Sequence, residues 1–86
     1  MKPEYHKNFR KQFDKLSIKI QDKFEEKLDL FLQNMFHLLL NNHSLSGEYE
    51  GCRSINITGE IRAIFYVKSD SNIVFINIGS HSELYE

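Results

Sequence analysis

The C-terminal half of the chain carries the side chains that could do chemistry. His43 and His81 lie there together with Arg53, Arg62 and Tyr85. Histidine can give or take a proton near neutral pH, because its reference pKa is about 6.5. Arginine stays charged, and its planar guanidinium can bind two oxygens of one anion at once. These residue types together suit chemistry on an anionic substrate.

Each of these side chains also has an ordinary structural interpretation. His43 lies in a polar loop after a helical pattern and could be a cap or face solvent, and His81 could cap the end of the chain. Arg62 could form an ion pair with a nearby acid, for which the candidates are Glu50 and Glu60. Tyr85 could anchor the C-terminus in the core. The residue types alone leave both interpretations open.

Several classes of site are not expected. The histidines are scattered, and none forms an i,i+4 helix pair or stands in a cluster of carboxylates, so we expect no metal site. The single cysteine, Cys52, allows neither an intrachain disulfide nor a cysteine zinc cluster. We interpret it as a small, partly buried residue. His6 and His37 belong to no motif, and we interpret both as structural.

The length and composition predict one folded domain over residues 1–86. The chain has 86 residues, of which 41% are hydrophobic and 13% aromatic, and this is enough for a core. No apolar run approaches the roughly 20 residues of a membrane-spanning helix. The N-terminus is charged and has no apolar signal sequence. We therefore expect a soluble, cytoplasmic protein.

The charge is unevenly distributed along the chain. The formal net charge is −1, yet residues 1–27 hold eight Lys and Arg against five acids. Such a basic segment could face nucleic acid or an acidic partner. Because acids are interleaved with the lysines, it also fits a solvated helix face held by i,i+4 pairs. Charge alone favours the second interpretation.

Apolar spacing predicts two helices in the first half of the chain. One stripe consists of Tyr5, Phe9, Phe13 and Leu16. Ser17 is a plausible N-cap for a second helix, whose stripe consists of Ile20, Phe24, Leu28, Phe31, Leu32, Met35 and Phe36. With almost no chain between them, the helices should form an antiparallel hairpin. Pro3 lies in the first turn or follows a short N-terminal edge strand.

The second half has the period of strands. The predicted strands are about Tyr49–Ile57, Ile61–Val67 and Ile73–Ile78, with turns at Thr58-Gly59 and 68–72. Alternation in the middle strand puts Arg62 and Tyr66 on the same face, away from one apolar layer. The prediction is an α+β fold in which the helix hairpin packs on one face of a small antiparallel β-meander.

Three segments carry a family resemblance: LNNHSLSGEYEGCRSINI, EIRAIFYV and IGSHSELY. With them, and in its order of elements, the chain resembles the RelE/ParE superfamily of bacterial toxins from type II toxin–antitoxin pairs, and most of all its YafQ branch. The family pattern has a histidine-leucine turn, a strand with G-x-R, an arginine early in the next strand and a terminal G-[ST]-H-x-x-L-[FY]. The last motif stands here at residues 79–85 and is the most specific.

The resemblance implies a RelE-like fold and a ribosome-dependent, metal-independent endoribonuclease that cuts mRNA. The implied partners are a cognate antitoxin, the ribosome and mRNA, with no cofactor. Family catalytic positions carry over onto His43, Arg62, His81 and Tyr85. His81 would be the general acid, His43 the general base or its positioner, Arg62 the transition-state stabiliser and Tyr85 a substrate-holding residue. Arg53, Asn56 and Glu60 are expected to bind substrate. Apart from the resemblance, the basic helix hairpin offers a ribosome-contact face made up of Lys7, Lys11, Lys15, Lys19 and Lys23.

The chain departs from the YafQ branch at three positions. Asn56 replaces a histidine, Glu60 an aspartate and Ile61 a tryptophan, which removes one proton carrier and one stacking surface. The net charge is also low for a protein that binds RNA through its phosphates. Two alternatives therefore stay open: a ParE-like inhibitor of DNA gyrase, and an attenuated toxin that only binds its antitoxin. The histidines beside an arginine argue against the first, and the departures favour the second.

Overall fold

The computed structural model describes residues 1–85, which form a mixed sheet with helices on one face. The elements in chain order are β1 (Lys2–Tyr5), α1 (Lys7–Asp14), α2 (Ile18–Gln33), β2 (His43–Ser44), β3 (Arg53–Asn56), β4 (Ile61–Ser69), β5 (Asn72–Ser80) and α3 (His81–Tyr85). Two 3-10 turns, Leu38–Leu40 and Gly47–Tyr49, flank β2. The predicted α+β class and the helix pair packed on the sheet are confirmed.

The sheet has five strands in the order β1-β5-β4-β3-β2. All neighbouring strands are antiparallel except β1 and β5, which are parallel. The N-terminal edge strand, predicted as one of two possibilities, is therefore present. The two-residue strand β2 was not predicted, because its sequence lies in a polar stretch without strand periodicity. It gives the sheet its second edge.

The first predicted helix stripe spans more than one element. Tyr5 lies in β1, and α1 begins only after His6, whose Nδ1 accepts a hydrogen bond from the Asn8 N–H at 3.0 Å. Leu16 follows the end of α1. All four residues of the stripe nevertheless pack on the core or within it. The spacing correctly predicted which residues face the core. It assigned Tyr5 and Leu16 to the helix, however, and both lie outside α1.

The second helix begins at the predicted cap and ends earlier than predicted. The Ser17 hydroxyl accepts from the Ile20 N–H at 3.3 Å. The helix ends at Gln33, and the Asn34 side chain then accepts from the Phe36 N–H. This turn leaves Phe36 60% exposed, so the interpretation of that phenylalanine as a core residue was wrong. Leu32, in the last turn of α2, is 39% exposed although it belongs to the predicted stripe.

The predicted strands differ from the observed ones at their ends. The segment before β3 is not strand, since Tyr49 ends a 3-10 turn and Gly51 has a φ of +90°, a conformation that glycine adopts at little cost. β5 extends through Ser80, and the residues expected as a tail form α3 instead. Both differences bear directly on the candidate site.

The core lies between the helices and the sheet, and aromatic rings dominate it. Phe75 in β5 is central, with ring centroids of five other residues within 5.9 Å: Tyr5, Phe9, Phe24, Phe31 and Phe65. Beyond the end of β1, Gln12 of α1 covers the free edge of β5, because its side-chain oxygen accepts from the Ile78 N–H at 2.9 Å. Within residues 1–85, no helix is long and apolar enough to cross a membrane.

Candidate active site

The face of the sheet that turns away from α1 and α2 carries a row of polar residues. In this row His43 of β2 is paired with Ser54 of β3, Ser54 with Ile64 of β4, and Ile64 with Asn77 of β5. The neighbouring residue Ile55 belongs to the core. Because side chains alternate along a strand, the row containing Ser54 must point to the opposite face. We call this face the open face.

A second row on the open face brings an arginine beside the first. Asn56 is paired with Arg62, and Arg62 with Gly79. Residues paired across antiparallel strands have Cβ atoms about 5 Å apart, and diagonal neighbours about 7–8 Å. His43 is a diagonal neighbour of Asn56 through Ser54. The structure therefore brings His43, Asn56 and Arg62 together at the end of the sheet where β5 leads into α3.

The ring of His43 is held in a defined orientation. Its Nδ1 lies 2.8 Å from the carbonyl oxygen of Asn41, and a carbonyl can only accept, so Nδ1 carries the proton. In the neutral ring Nε2 then has a free lone pair. His6 and His37 have the opposite arrangement, since their Nδ1 atoms accept from backbone N–H groups at helix starts. Those two rings are caps, as predicted.

The guanidinium of Arg62 folds back over the β3–β4 turn. Its Nη1 donates to the carbonyl oxygens of Thr58 at 3.0 Å and Gly59 at 2.9 Å. The Thr58 hydroxyl in turn accepts from the N–H groups of the next residues of the turn, including that of Ile61 at 3.0 Å. Among the described residues 1–85 Arg62 has no carboxylate partner, so its charge remains available for an anion.

The short helix α3 positions the last two candidates. Ser80 and Glu83 form a capping box: the Ser80 hydroxyl accepts from the Glu83 N–H at 3.2 Å, and the Glu83 carboxylate accepts from the Ser80 N–H at 2.8 Å. The pKa of the Glu83 carboxyl is lowered first by the hydrogen bond that it accepts from the Ser80 backbone N–H and second by the Ser80 side chain. The capping box makes His81 the first residue of α3.

His81 and Tyr85 lie one helical turn apart and touch. Their ring centroids are 4.7 Å apart, as the i,i+4 spacing allows. The backbone N–H of His81 donates to the carbonyl oxygen of Glu60 at 3.0 Å, which ties α3 to the start of β4. Because Arg62 follows Glu60 by two residues, His81 and Tyr85 lie at the same end of the sheet as His43 and Arg62.

Polar atoms without partners concentrate on this face. Among residues 1–85, the buried side-chain atoms that lack a hydrogen-bond partner are Ser54 Oγ, Asn56 Oδ1 and Tyr85 Oη. An unpaired buried polar group costs about 1–3 kcal/mol, so three of them on one small domain are unusual. Tyr85 packs against Tyr49 and His81, while its buried hydroxyl has no hydrogen-bond partner among residues 1–85.

Of the other predicted binding residues, Glu60 touches this cluster through its backbone carbonyl oxygen, which accepts from the His81 N–H, and the others lie apart from it. Arg53 is on the helix-side face, where its Nε donates to Asn42 at 2.7 Å and its guanidinium stacks 5.2 Å from the ring centroid of Phe36. Glu60 is exposed in the β3–β4 turn. The predicted lysines are exposed on α1 and α2, namely Lys7, Lys11, Lys15 and Lys19. Of these, Lys15 comes nearest, since it lines a cleft with Gly79 and Glu83.

Sequence reasoning missed two residues beside the cluster. Tyr49 packs edge to face against Tyr85, with ring centroids 6.1 Å apart, and its hydroxyl accepts from Asn77 Nδ2 at 3.4 Å. Burial raises the pKa of Tyr49, and the negative charge of Glu48 adds to this. The glycines at 47 and 51 indicate that Tyr49 lies in a turn. No sequence signal identified Asn77.

Metal binding and thiol chemistry have no support in the described part of the chain. Residues 1–85 contain no group of three or more His, Cys, Asp or Glu side chains that could hold a metal ion. Cys52 is half-buried, and burial raises the pKa of its thiol. A raised pKa keeps the thiol protonated and weakly nucleophilic. The polar side-chain groups that the described residues bring to the site are imidazole, guanidinium, amide and hydroxyl groups.

Comparison with solved structures finds the same fold in bacterial toxins. YafQ from E. coli superimposes with a TM-score of 0.79 at 22% identity, covering 98% of this chain and 97% of that chain. YafQ in the E. coli DinJ–YafQ complex gives 0.76 at 20% identity, covering 98% and 97%. A conserved hypothetical protein from Helicobacter pylori gives 0.67 at 30% identity, covering 99% of both chains.

Comparison with curated protein sequences gives no match. Comparison with protein families matches residues 1–86 to the family described as the bacterial toxin of type II toxin-antitoxin systems, YafQ. The match spans the entire chain, including the His43 turn, the open face and the terminal motif. The chain therefore belongs to the YafQ family of toxins of type II toxin–antitoxin systems.

Proposed function

We propose that this toxin is a ribosome-dependent, metal-independent endoribonuclease that cuts translated mRNA. The observation that carries the proposal is that His43, Arg62, His81 and Tyr85 lie at the same end of the sheet. They come from β2, β4 and α3, which are far apart in sequence. Such a constellation of two imidazoles and a cation without a carboxylate partner suits acid–base chemistry on a phosphodiester.

The chemistry assigns one role to each residue. The 2′-OH of the RNA attacks the adjacent phosphorus, so no enzyme nucleophile is required. His43 Nε2 is the general base, because Nδ1 already carries the proton that it donates to Asn41. His81 protonates the leaving 5′-oxygen. Arg62 turns from the β3–β4 carbonyls towards the phosphate and stabilises its additional negative charge, while Tyr85 holds the substrate through its unpartnered hydroxyl.

The proposed macromolecular partner is a cognate antitoxin, as DinJ is for YafQ of E. coli. Its support on this chain is an apolar patch at the end of α2 and the turn that follows, made up of Leu32, Phe36, Leu38 and Leu39. Leu38 is 91% exposed, which is unfavourable in water and typical of a surface covered by a partner. An acidic antitoxin segment would complement the exposed lysines of α1 and α2.

The decisive experiment is in vitro translation with purified wild-type protein and His81→Gln, followed by primer extension to map mRNA ends. We expect cuts in ribosome-bound message with the wild type. Loss of the general acid should reduce them by about 10²–10⁴-fold. His37→Gln is a matched control, because that histidine caps a 3-10 turn away from the site. Equal cutting by wild type and His81→Gln would refute the assigned acid role.

Intact message with the wild type would refute the nuclease proposal. A DNA supercoiling assay would then separate a gyrase inhibitor from an attenuated toxin. The departure at Asn56 favours the attenuated toxin among these two, since its Oδ1 has no hydrogen-bond partner where the resemblance expects an imidazole.

Exposed lysines provide an independent test of ribosome binding. Replacing Lys7, Lys11 and Lys15 by glutamine should weaken association with ribosomes and reduce its dependence on salt, because each lost phosphate contact removes counterion release. Sedimentation with ribosomes at several salt concentrations measures both. Lys68→Gln serves as the control, since that lysine pairs with Glu4 on the far side of the sheet. An unchanged salt dependence would place the ribosome contact elsewhere.

A further inference from the structure

A cleft opens between the Gly47–Tyr49 turn and α3, beside the candidate active site. It has a volume of about 340 Å³ and is lined by Ser46, Glu48, Tyr49, Leu84 and Tyr85. This volume lies at the lower end of the range of small-ligand sites, about 300–1,000 Å³. Tyr85 belongs to both the cleft and the candidate site, because its ring also touches that of His81. A ligand bound in the cleft would therefore lie next to the RNA phosphate that the candidate active site is proposed to cleave.

The aromatic wall of the cleft is held in place by the fold. Tyr49 lies between two contacts: the edge-to-face packing on Tyr85 and the hydrogen bond from Asn77. Single-stranded RNA is recognised by bases that leave the stack and lie on aromatic side chains. A tyrosine already fixed by its neighbours loses little conformational entropy when a base stacks on it. The wall is thus suited to a planar, unpaired base.

The polar lining of the cleft favours certain bases. Glu48 is an exposed carboxylate on the same turn as Tyr49 and is near enough to raise the pKa of the Tyr49 hydroxyl. An ionised carboxylate can only accept hydrogen bonds. It can therefore accept from the exocyclic amino groups of adenine, cytosine and guanine, whereas the only donor that uracil offers on its pairing edge is the ring N3–H, between two carbonyl oxygens that a carboxylate repels.

We propose that this cleft is a subsite for one unpaired RNA base with an exocyclic amino group, stacked on Tyr49 and read by Glu48. The inference rests on the proposed function, because it takes RNA as the substrate of the adjacent site. It goes further in naming a specificity-determining pair outside the acid–base residues. The subsite discriminates amino-bearing bases from uracil at the position next to the cut.

Binding is tested without cleavage. Dinucleotides with 2′-deoxyribose, carrying adenine, cytosine or uracil, are titrated into the protein while the ring resonances of its tyrosines are followed by NMR. We expect the Tyr49 and Tyr85 resonances to shift, with adenine and cytosine dinucleotides binding several-fold more tightly than the uracil one. Tyr49→Ala should weaken binding roughly 5- to 100-fold, the range measured for loss of one stacked base.

Two further variants separate recognition from folding. Glu48→Gln keeps the size of an exposed side chain and adds an amide donor, so it should abolish or reverse the preference against uracil. Tyr66→Ala also removes an exposed tyrosine, but near the opposite end of β4, and should bind like the wild type. No shift of Tyr49 with any dinucleotide, or equal affinity for all bases in wild type and Glu48→Gln, would overturn the proposal.

Mapped cleavage sites distinguish this proposal from the nuclease proposal. If the wild type cuts message and Glu48→Gln redistributes the cuts towards uracil, both stand. If the wild type cuts and Glu48→Gln leaves the distribution unchanged, the subsite is refuted while the nuclease remains. If the wild type cuts nothing, the nuclease is refuted, and the dinucleotide titration alone decides whether the cleft binds a base.

Discussion

At the scale of single residues, hydrogen-bond polarity separates the histidines. His6 and His37 accept backbone N–H groups at Nδ1 and so act as caps, whereas His43 donates from Nδ1 to a carbonyl. Only the second arrangement leaves Nε2 with a lone pair in the neutral ring. The same amino acid is therefore structural at two positions and suited to proton transfer at the third, and the difference lies in the backbone around each ring.

The Tyr85→Phe variant tests whether the Tyr85 hydroxyl lowers the stability of the fold and is needed for cleavage. Because the buried Tyr85 Oη has no hydrogen-bond partner, its removal should raise the free energy of unfolding by about 1 kcal/mol. If the hydroxyl holds substrate, the same change should lower cleavage. Urea denaturation and primer extension measure the two effects. Tyr49→Phe is the contrast, since its hydroxyl is hydrogen-bonded to Asn77, and removing it should bring no gain in stability.

At the scale of elements, α3 depends on its cap. A five-residue helix is far too short to be stable by itself. It is held by the Ser80–Glu83 capping box, by burial of Leu84 and by the backbone bond from His81 to Glu60. A Cβ added at Gly79 would lie 3.4 Å from the Glu83 carboxylate and 3.6 Å from Leu84, both ordinary contact distances, so α3 packs directly over this residue of β5.

The capping box predicts a pH dependence with a defined sign. The pKa of Glu83 is lowered in the folded state from its ordinary value of 4.5. Its carboxylate therefore stabilises the fold above that value, and the contribution is lost as the pH falls through the lowered pKa. Glu83→Gln can still cap but does not titrate near this pH. The difference in unfolding free energy between wild type and Glu83→Gln should change only on the acid side.

Glu4 provides the control for this experiment. Its pKa is lowered as well, by hydrogen bonds from Asn72 and then Lys68, so it contributes to the loss of stability in acid with the same sign. The Glu4→Gln variant should lack the contribution of Glu4 to the loss of stability in acid and keep the contribution of Glu83. A difference between wild type and Glu83→Gln that stays constant through the acid range would show that the cap carries no ionic contribution.

At the scale of the whole molecule, stability depends on one aromatic cluster. An 86-residue domain is expected to be stable by about 4–13 kcal/mol. Phe75 is fully buried among five aromatic rings. Phe75→Ala should cost about 3–5 kcal/mol, which is from about a quarter to all of that total. Urea denaturation followed by circular dichroism measures the loss.

Phe36→Ala is the matched surface variant. Phe36 is 60% exposed and contacts the guanidinium of Arg53, a contact worth about 0.5–1 kcal/mol at an exposed site. Its loss should therefore shift the unfolding midpoint only slightly. The same variant should weaken antitoxin binding if the apolar patch is covered by that partner. A large loss of stability in Phe36→Ala would instead assign the patch to the core.

The amino-acid sequence is enough to predict the fold class and the helix pair, and it locates the polar side chains along the chain. These follow from local rules: the helical spacing of Phe9 and Phe13, the cap at Ser17 and the strand alternation that puts Arg62 opposite the core. The capping box of α3 is also a local sequence pattern, Ser80-x-x-Glu83, although it was not among the predicted features. Such features need only neighbours in sequence, so a pattern is enough to find them.

Which of those side chains lie close together depends on the tertiary structure. Strand pairing brought His43 beside Asn56 and Arg62 through a two-residue strand with no periodicity of its own. Alternation along β3 puts Arg53 and Asn56 on opposite faces, and packing of the core against Ile55 makes the face of Arg53 the helix-side one. The packing of α3 against Tyr49 created the cleft. These relations depend on register and packing between distant segments, which no local pattern encodes.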